Sequence, residues 1–189
     1  MTGARSSAAC SIGFSRAPTL RRSNKSVPTV YRIGTAGPSW DEADLEGNGS
    51  KATGGRWNNT GTPMVYGSSS IALAVLETIV HLGAGLFPMN RYIIAVHVPD
   101  DEFEKRKVVG GADLPDAWDS HPASFKSMEF GTKWINLNRE LVMQVPSAIV
   151  PLESNFLLNP RNSVMTKVRA KNLGKYVYDP RSVPRFATS

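Results

Sequence analysis

Glu77 interrupts the apolar run Ile71–Val80, where an unpaired carboxylate would be expensive to bury. Two readings satisfy that cost. Either a basic neighbour neutralises it, with His81 one turn later as the candidate, or it lines a cleft and does chemistry there. Upstream, Gly54-Gly55-Arg56-Trp57-Asn58 sets an arginine behind two glycines. Paired glycines allow close approach of another molecule, and a guanidinium fork suits a phosphate or pyrophosphate through two parallel charge-assisted bonds. The same arginine could instead pin its own loop through carbonyls. The segment is neither a GxGxxG dinucleotide fingerprint nor a Walker A loop, which needs GK[ST].

Three further residues could join them. Arg32 lies on a predicted strand between Tyr31 and Ile33, where it either faces solvent or pairs with a second phosphate. Tyr66 ends a short apolar segment just before the Glu77 helix; it could offer a ring face to a planar ligand or be a core aromatic. Ser147 follows Val145-Pro146 and lacks a GxSxG context, so its hydroxyl suits hydrogen bonding better than attack. Asn155 and Asn159-Pro160 read as turn chemistry.

The elements that would hold these residues follow from patterning. Strands are expected at Thr29–Ile33 and Met64–Gly67, then a helix from Ser70 to Leu82 with Ser68, Ser69 and Ser70 as cap candidates. That helix is apolar on nearly every side, which predicts full burial. Arg91–Val98 is a near-continuous apolar strand stopped by Pro99, and Asp100–Lys107 a charged surface connection. A second helix is expected over Ala123–Asn138, packing Phe125, Met128 and Trp134. Short strands complete the pattern at Leu141–Val145, Ala148–Val150, Thr166–Lys171 and Tyr176–Tyr178. Between Gly34 and Gly54 runs a structureless loop with an acidic cluster, of the length usually reserved for function. The sum is an α+β domain with a mixed sheet and few helices.

The net charge of +6 is unevenly spread. Residues 1–26 carry Arg5, Arg16, Arg21, Arg22 and Lys25 and no acid, leaving 17 basic and 16 acidic residues in the rest. Direct nucleic-acid binding by the folded part is therefore not expected. Those first 26 residues read as a disordered basic tail, or as an acid-poor transit peptide, ahead of a domain spanning 27–189. With Cys10 as the single cysteine, an intrachain disulfide is impossible and a cysteine zinc site is excluded. Three histidines without ligand spacing argue against any metal. No apolar run is long enough for a membrane span, and a reducing cytoplasm fits.

Several ordered blocks carry a family resemblance. They are Tyr31-Arg32-Ile33, Gly55-Arg56-Trp57-Asn58, Val65-Tyr66-Gly67, Leu76-Glu77-Thr78-Ile79-Val80-His81, Gly131-Thr132-Lys133-Trp134, Val145-Pro146-Ser147-Ala148, Asn155 to Arg161, and Tyr178-Asp179-Pro180-Arg181. In this order they resemble the RES-domain family, the toxin halves of bacterial RES–Xre toxin–antitoxin pairs. The resemblance covers about Thr29 to Arg181 and implies an ADP-ribosyltransferase-like fold. It also implies cleavage of NAD at the nicotinamide–ribose bond, by hydrolysis or by phosphorolysis with inorganic phosphate as co-substrate. NAD is then substrate, and no other cofactor is expected.

Carried over residue by residue, the family's site falls on Arg32, Arg56, Tyr66, Glu77 and Ser147. Glu77, Arg56 and Ser147 would be catalytic, and Arg32, Arg56, Tyr66 and Ser147 would bind NAD. The implied partner is an Xre-type helix-turn-helix antitoxin, with a homodimer compatible with that complex. One departure is Asn162-Ser163, where many relatives carry His-Pro. Transfer of ADP-ribose to a protein, and a catalytically silent antitoxin-binding module, are the competing readings.

Overall fold

The computed structural model describes residues 28–82 and 88–182; the expected basic tail at 1–26 lies outside them. Seven strands are seen there: β1 (Thr29–Gly34), β2 (Val65–Ser68), β3 (Arg91–His97), β4 (Lys107–Val108), β5 (Val142–Pro146), β6 (Ser154–Leu158) and β7 (Arg169–Tyr176). They form one sheet in the order β4-β5-β6-β2-β1-β3-β7, antiparallel except for the β4–β5 pair. With four helices, α1 (Asn48–Thr53), α2 (Ile71–Ile79), α3 (Asp100–Glu104) and α4 (Phe125–Leu137), the architecture is the expected α+β class. No helix among the described residues is long and apolar enough to cross a membrane.

The sheet has a seam. Along β1 and β3 six pairs are in register, and four join β2 to β6, whereas β1 and β2 share one, Tyr31 with Ser68. On one face Val30, Ile94 and Val96 from one half meet Val65, Phe156 and Leu158 from the other, covered by Leu45, Phe103 and Met165. On the opposite face Met143, Val145 and Leu157 receive Trp134 and Ile135 of α4, together with Trp57 and Met64. Each fully buried aliphatic or aromatic contributes about 1.5–3 kcal/mol relative to exposure, so these two layers supply most of the driving force.

Several expectations need correcting. Helix α2 is capped as foreseen, Ser70 Oγ accepting from Leu73 N at 3.1 Å, but it is not buried all round. Only Leu73 and Ala74 are buried, while Ile71 and Val80 are exposed, because the sheet covers one side of a helix. Ala148–Val150 is a turn rather than a strand. The hydroxyl of Ser147 accepts from the N–H groups of both Ile149 and Val150, which takes them from any ladder. The Gly34–Gly54 loop contains α1, and Asp100–Lys107 contains α3 before entering β4. Ser163–Lys167 is a 3₁₀ turn preceding β7, not part of a strand, and Tyr178 lies beyond that strand's end. Phe125 is 64% exposed at the start of α4, although Trp134 is buried as expected.

Gly131 in α4 lets the helix approach the Arg56 loop, because a Cβ there would run into the Trp57 carbonyl. Two effects of Gly131→Ala therefore oppose each other. Helix propensity favours alanine by about 1 kcal/mol, and overpacking costs about 1–3 kcal/mol. The collision is with backbone, which yields little, so a net loss of stability and a melting temperature lowered by several degrees are expected. A thermal melt showing a stabilised variant would refute the close contact.

Candidate functional site

Helix α2 packs over β1 and β2 and carries Glu77 toward β6, where two elements, β6 and the Ser147 turn, meet its carboxylate. Oε1 accepts from the Ser147 hydroxyl at 2.8 Å and from the Asn155 side-chain amide at 2.5 Å. Asn155 is oriented in turn by Ser68, whose hydroxyl donates to Asn155 Oδ1 at 2.7 Å across the β2–β6 pair. Ser147 is fully buried, and its two accepted N–H bonds direct its single proton to Glu77. Both donors to the carboxylate are neutral. Among the described residues Glu77 has no ion-pair partner, so pairing with His81 is not how its charge is accommodated. Its Oε2 makes no hydrogen bond there and is not a buried orphan, which leaves that oxygen open to a ligand.

Arg56 and Tyr66 form a second group. The loop before β2 lies directly on Tyr66: its hydroxyl donates to Asn58 Oδ1 at 2.6 Å and accepts from Trp57 N at 3.0 Å. Gly55 permits this, since a Cβ there would stand 2.7 Å from the Tyr66 oxygen. Asn58, fully buried, uses its amide to bind the carbonyls of Ser50, Asn59 and Thr62, locking the loop. Burial pushes the Tyr66 phenol well above its ordinary pKa; the Trp57 N–H bond and the Arg56 charge offset this only in part. Arg56 donates through Nη1 to the carbonyls of Trp118 and Ser120, both at 2.8 Å. It does pin a loop, but Nε and Nη2 make no hydrogen bond among the described residues and are not buried orphans. One edge of the fork is still available.

Arg32 belongs to neither group. By register it shares a face with Val30 and Ile94, turned away from Tyr66, Ser68 and Asn155 on the neighbouring strands. Its guanidinium donates to the Asp44 carbonyl at 2.6 Å, and burial lowers its pKa against the raising effect of Asp44. This also explains part of the acidic loop. The Asp44 carboxylate accepts from the backbone N–H of Glu46 and Asn48, so it organises the entry to α1.

Patterning missed Asn155, read as turn chemistry; it is a strand residue that supplies one of the two donors to Glu77. Its period-two relation to buried Leu157 was the available signal, placing its amide on the α4-facing side of the sheet. Trp118 was also missed: it stacks on Trp57 with ring centroids 6.2 Å apart. Beside the centre lies a cavity of about 350 Å³, bounded by Val109, Leu114, Trp118, Val145, Pro151 and Glu153. Glu77 does not line it; the Ser147 turn separates them, with Ser147 N donating to the Glu153 carbonyl at 2.9 Å. Among the described residues no cluster of three or more His, Cys, Asp or Glu side chains could hold a metal ion.

Comparison with known proteins extends this picture. Residues 29–179 match the RES domain family model. The chain is 42% identical over 155 residues to the Prs ADP-ribosylating toxin of Sphingobium sp. (strain YBL2), covering 82% of this chain and 96% of that protein. It is 35% identical over 148 residues to Toxin Res of Photorhabdus laumondii subsp. laumondii, covering 78% and 86% respectively. Its fold is similar to that of a chain in the crystal structure of the M. tuberculosis MbcT-MbcA toxin-antitoxin complex. The TM-score is 0.54 at 16% identity, over 78% of this chain and 84% of the other.

The Tyr66 hydroxyl gives a test of the loop's anchoring. Tyr66→Phe strands a buried acceptor on Asn58 and a donor on Trp57, which should cost about 1–3 kcal/mol in chemical denaturation. The folded phenol has a raised pKa, so its contribution is full below the unfolded value of 10.0 and is lost as pH climbs above it. The stability gap between wild type and variant should therefore narrow above pH 10. A gap that stays constant or widens would show that the phenol is not held protonated in the fold.

Proposed function

We propose that this chain, which belongs to the RES domain family, is the toxin of a toxin–antitoxin pair and cleaves the nicotinamide–ribose bond of NAD at Glu77. The observation that carries this reading is the state of that carboxylate: fixed through one oxygen by Ser147 and Asn155, without a counter-ion among the described residues, and open at the other oxygen. A structural glutamate would be expected to have a cationic partner.

The chemistry needs little more. Nicotinamide in NAD is cationic, so when the glycosidic bond breaks its electron pair neutralises the ring nitrogen and the amide leaves without a proton. General-acid assistance of the kind ordinary glycosidases use is dispensable. Positive charge develops on the ribosyl group, and Glu77 Oε2 stabilises it electrostatically; the two neutral donors hold the carboxylate without quenching its charge. The open edge of Arg56 takes the pyrophosphate, a role that falls to this arginine alone because Arg32 is engaged elsewhere. Tyr66, its hydroxyl committed beneath the loop, contributes a ring wall rather than a proton.

The acceptor completes the reaction. Water gives ADP-ribose and a proton, inorganic phosphate gives ADP-ribose 1″-phosphate, and a protein nucleophile gives an ADP-ribosylated protein. Transfer is favoured by one particular finding, the ADP-ribosylating description of the 42%-identical relative. The proposed inhibitor is an Xre-type helix-turn-helix antitoxin, in keeping with the toxin–antitoxin complex of the structural relative.

Chromatography of NAD incubated with the protein, with and without phosphate or host extract, separates the three acceptors. Intact NAD under all conditions would end the proposal. Glu77→Gln keeps an Oε1 acceptor for both Ser147 and Asn155, so the melting temperature should hardly move. Nicotinamide release should fall at least about a hundredfold, the scale of losing one preorganised electrostatic group. A stable variant with near-normal release would remove Glu77 from the centre of the reaction.

A further inference from the structure

The cavity beside the centre has a definite chemical character. It is walled by apolar and aromatic groups, Val109, Leu114, Trp118, Val145 and Pro151 among them, and none of its lining residues is Lys or Arg. Glu153 is the one charge on its wall. Its Oε2 accepts long bonds from Ser69 and Ser70, at 3.5 and 3.3 Å. Oε1 makes no hydrogen bond among the described residues and is not a buried orphan. Nor has Glu153 an ion-pair partner there. Its backbone is fixed in the Ser147 turn, donating to the Val150 carbonyl at 2.8 Å and accepting from Ser147 N. Such a cavity repels phosphate and suits a flat, uncharged group with hydrogen-bond donors.

Position adds a second constraint. The carbonyl of Trp118 anchors Arg56, and the same residue lines the cavity. Ser147 touches Glu77 through its hydroxyl and Glu153 through its backbone. The cavity therefore adjoins the Arg56 anchor directly, through Trp118, and is screened from Glu77 by the Ser147 turn, which places it on the pyrophosphate side of the centre. About 350 Å³ is far more than a water or phosphate nucleophile occupies, and lies within the usual range for small-molecule sites.

We infer that this cavity receives the adenosine end of the dinucleotide, and that the Glu153 carboxylate makes the site select a free 2′-hydroxyl over a 2′-phosphate. The inference rests on the NAD reading above. A 2′-hydroxyl donates to a carboxylate, whereas a 2′-phosphate meets like charge on a wall that no Lys or Arg lines; the same logic separates NAD from NADP in other dinucleotide sites. Glu153 is a specificity residue here, acting on the ligand's ribose and not on the bond that breaks.

Binding of AMP and of adenosine 2′,5′-bisphosphate, measured by calorimetry on the full chain, tests this without any turnover. AMP should bind at least about tenfold more tightly than the 2′,5′-bisphosphate, and Glu153→Gln should bring the two affinities together. A lost helix-capping charge would weaken both ligands alike and leave the ratio intact, so an unchanged ratio overturns the selectivity. Gly110→Leu supplies an independent block. Gly110 lines the cavity with an extended φ of −167°, and a Cβ there meets nothing within 4 Å, so the side chain fills space without strain. It should abolish AMP binding while preserving the melting temperature; AMP binding unaffected by it would place adenosine elsewhere. Failure of NAD cleavage, with AMP selectivity intact, would count against the proposed reaction and not against the cavity.

Discussion

The rest of the site depends on holding a half-buried carboxylate that has no counter-ion among the described residues. Desolvation disfavours the charged form, and the usual remedy, an adjacent cation, would spend the negative charge on the protein itself. Glu77 is held instead by one amide and one hydroxyl, each fixed from behind. Asn155 is oriented by Ser68, and Ser147 by two backbone N–H groups. That solution requires helix α2, strands β2 and β6 and the Ser147 turn to be placed together.

The arginines obey the complementary rule. A guanidinium has five donors, so carbonyls can occupy one edge while another remains open. Arg56 is fixed in this way by Trp118 and Ser120 and keeps a binding edge. Arg32 sits on the other face of its strand and spends its reach on Asp44. Two residues of the same type, both plausible phosphate ligands from their sequence settings, are thereby given different work by register and loop path.

How much of this could be read in advance varies with how local its cause is. The strands around Thr29–Ile33 and Arg91–Val98, the Ser70 cap and the buried Trp134 follow from short patterns, and the structure has them. The sequence also singled out Glu77 because a carboxylate in an apolar run is costly wherever the helix lies. What failed was non-local. Full burial of α2 was expected from its composition, yet coverage depends on how many neighbours exist, and the sheet offers one side. Ala148–Val150 looked like a strand because its side chains are apolar, while a single upstream hydroxyl had already claimed its amides. Asn155 looked like a turn residue because its role appears only when Glu77, far away in the chain, is folded over it.

A neutral cradle also has an energetic consequence for the fold. Breaking an ion pair leaves an uncompensated charge and costs several kcal/mol, so a site built on one is welded to stability. A carboxylate held by neutral donors contributes less to the fold, and its charge can be altered with little structural penalty. Stability is then carried by the two apolar layers on either face of the sheet, which include none of the groups assigned to the reaction, apart from Tyr66 at their margin. Tyr66 is the point of contact between the two demands. Its hydroxyl locks the Arg56 loop to the core, so the arginine's free edge is positioned by the same burial that stabilises the domain. The Glu77 carboxylate and the open edge of Arg56 are therefore positioned by different physical routes, one through a polar relay across the β2–β6 pair and the other through packing under a glycine-permitted loop.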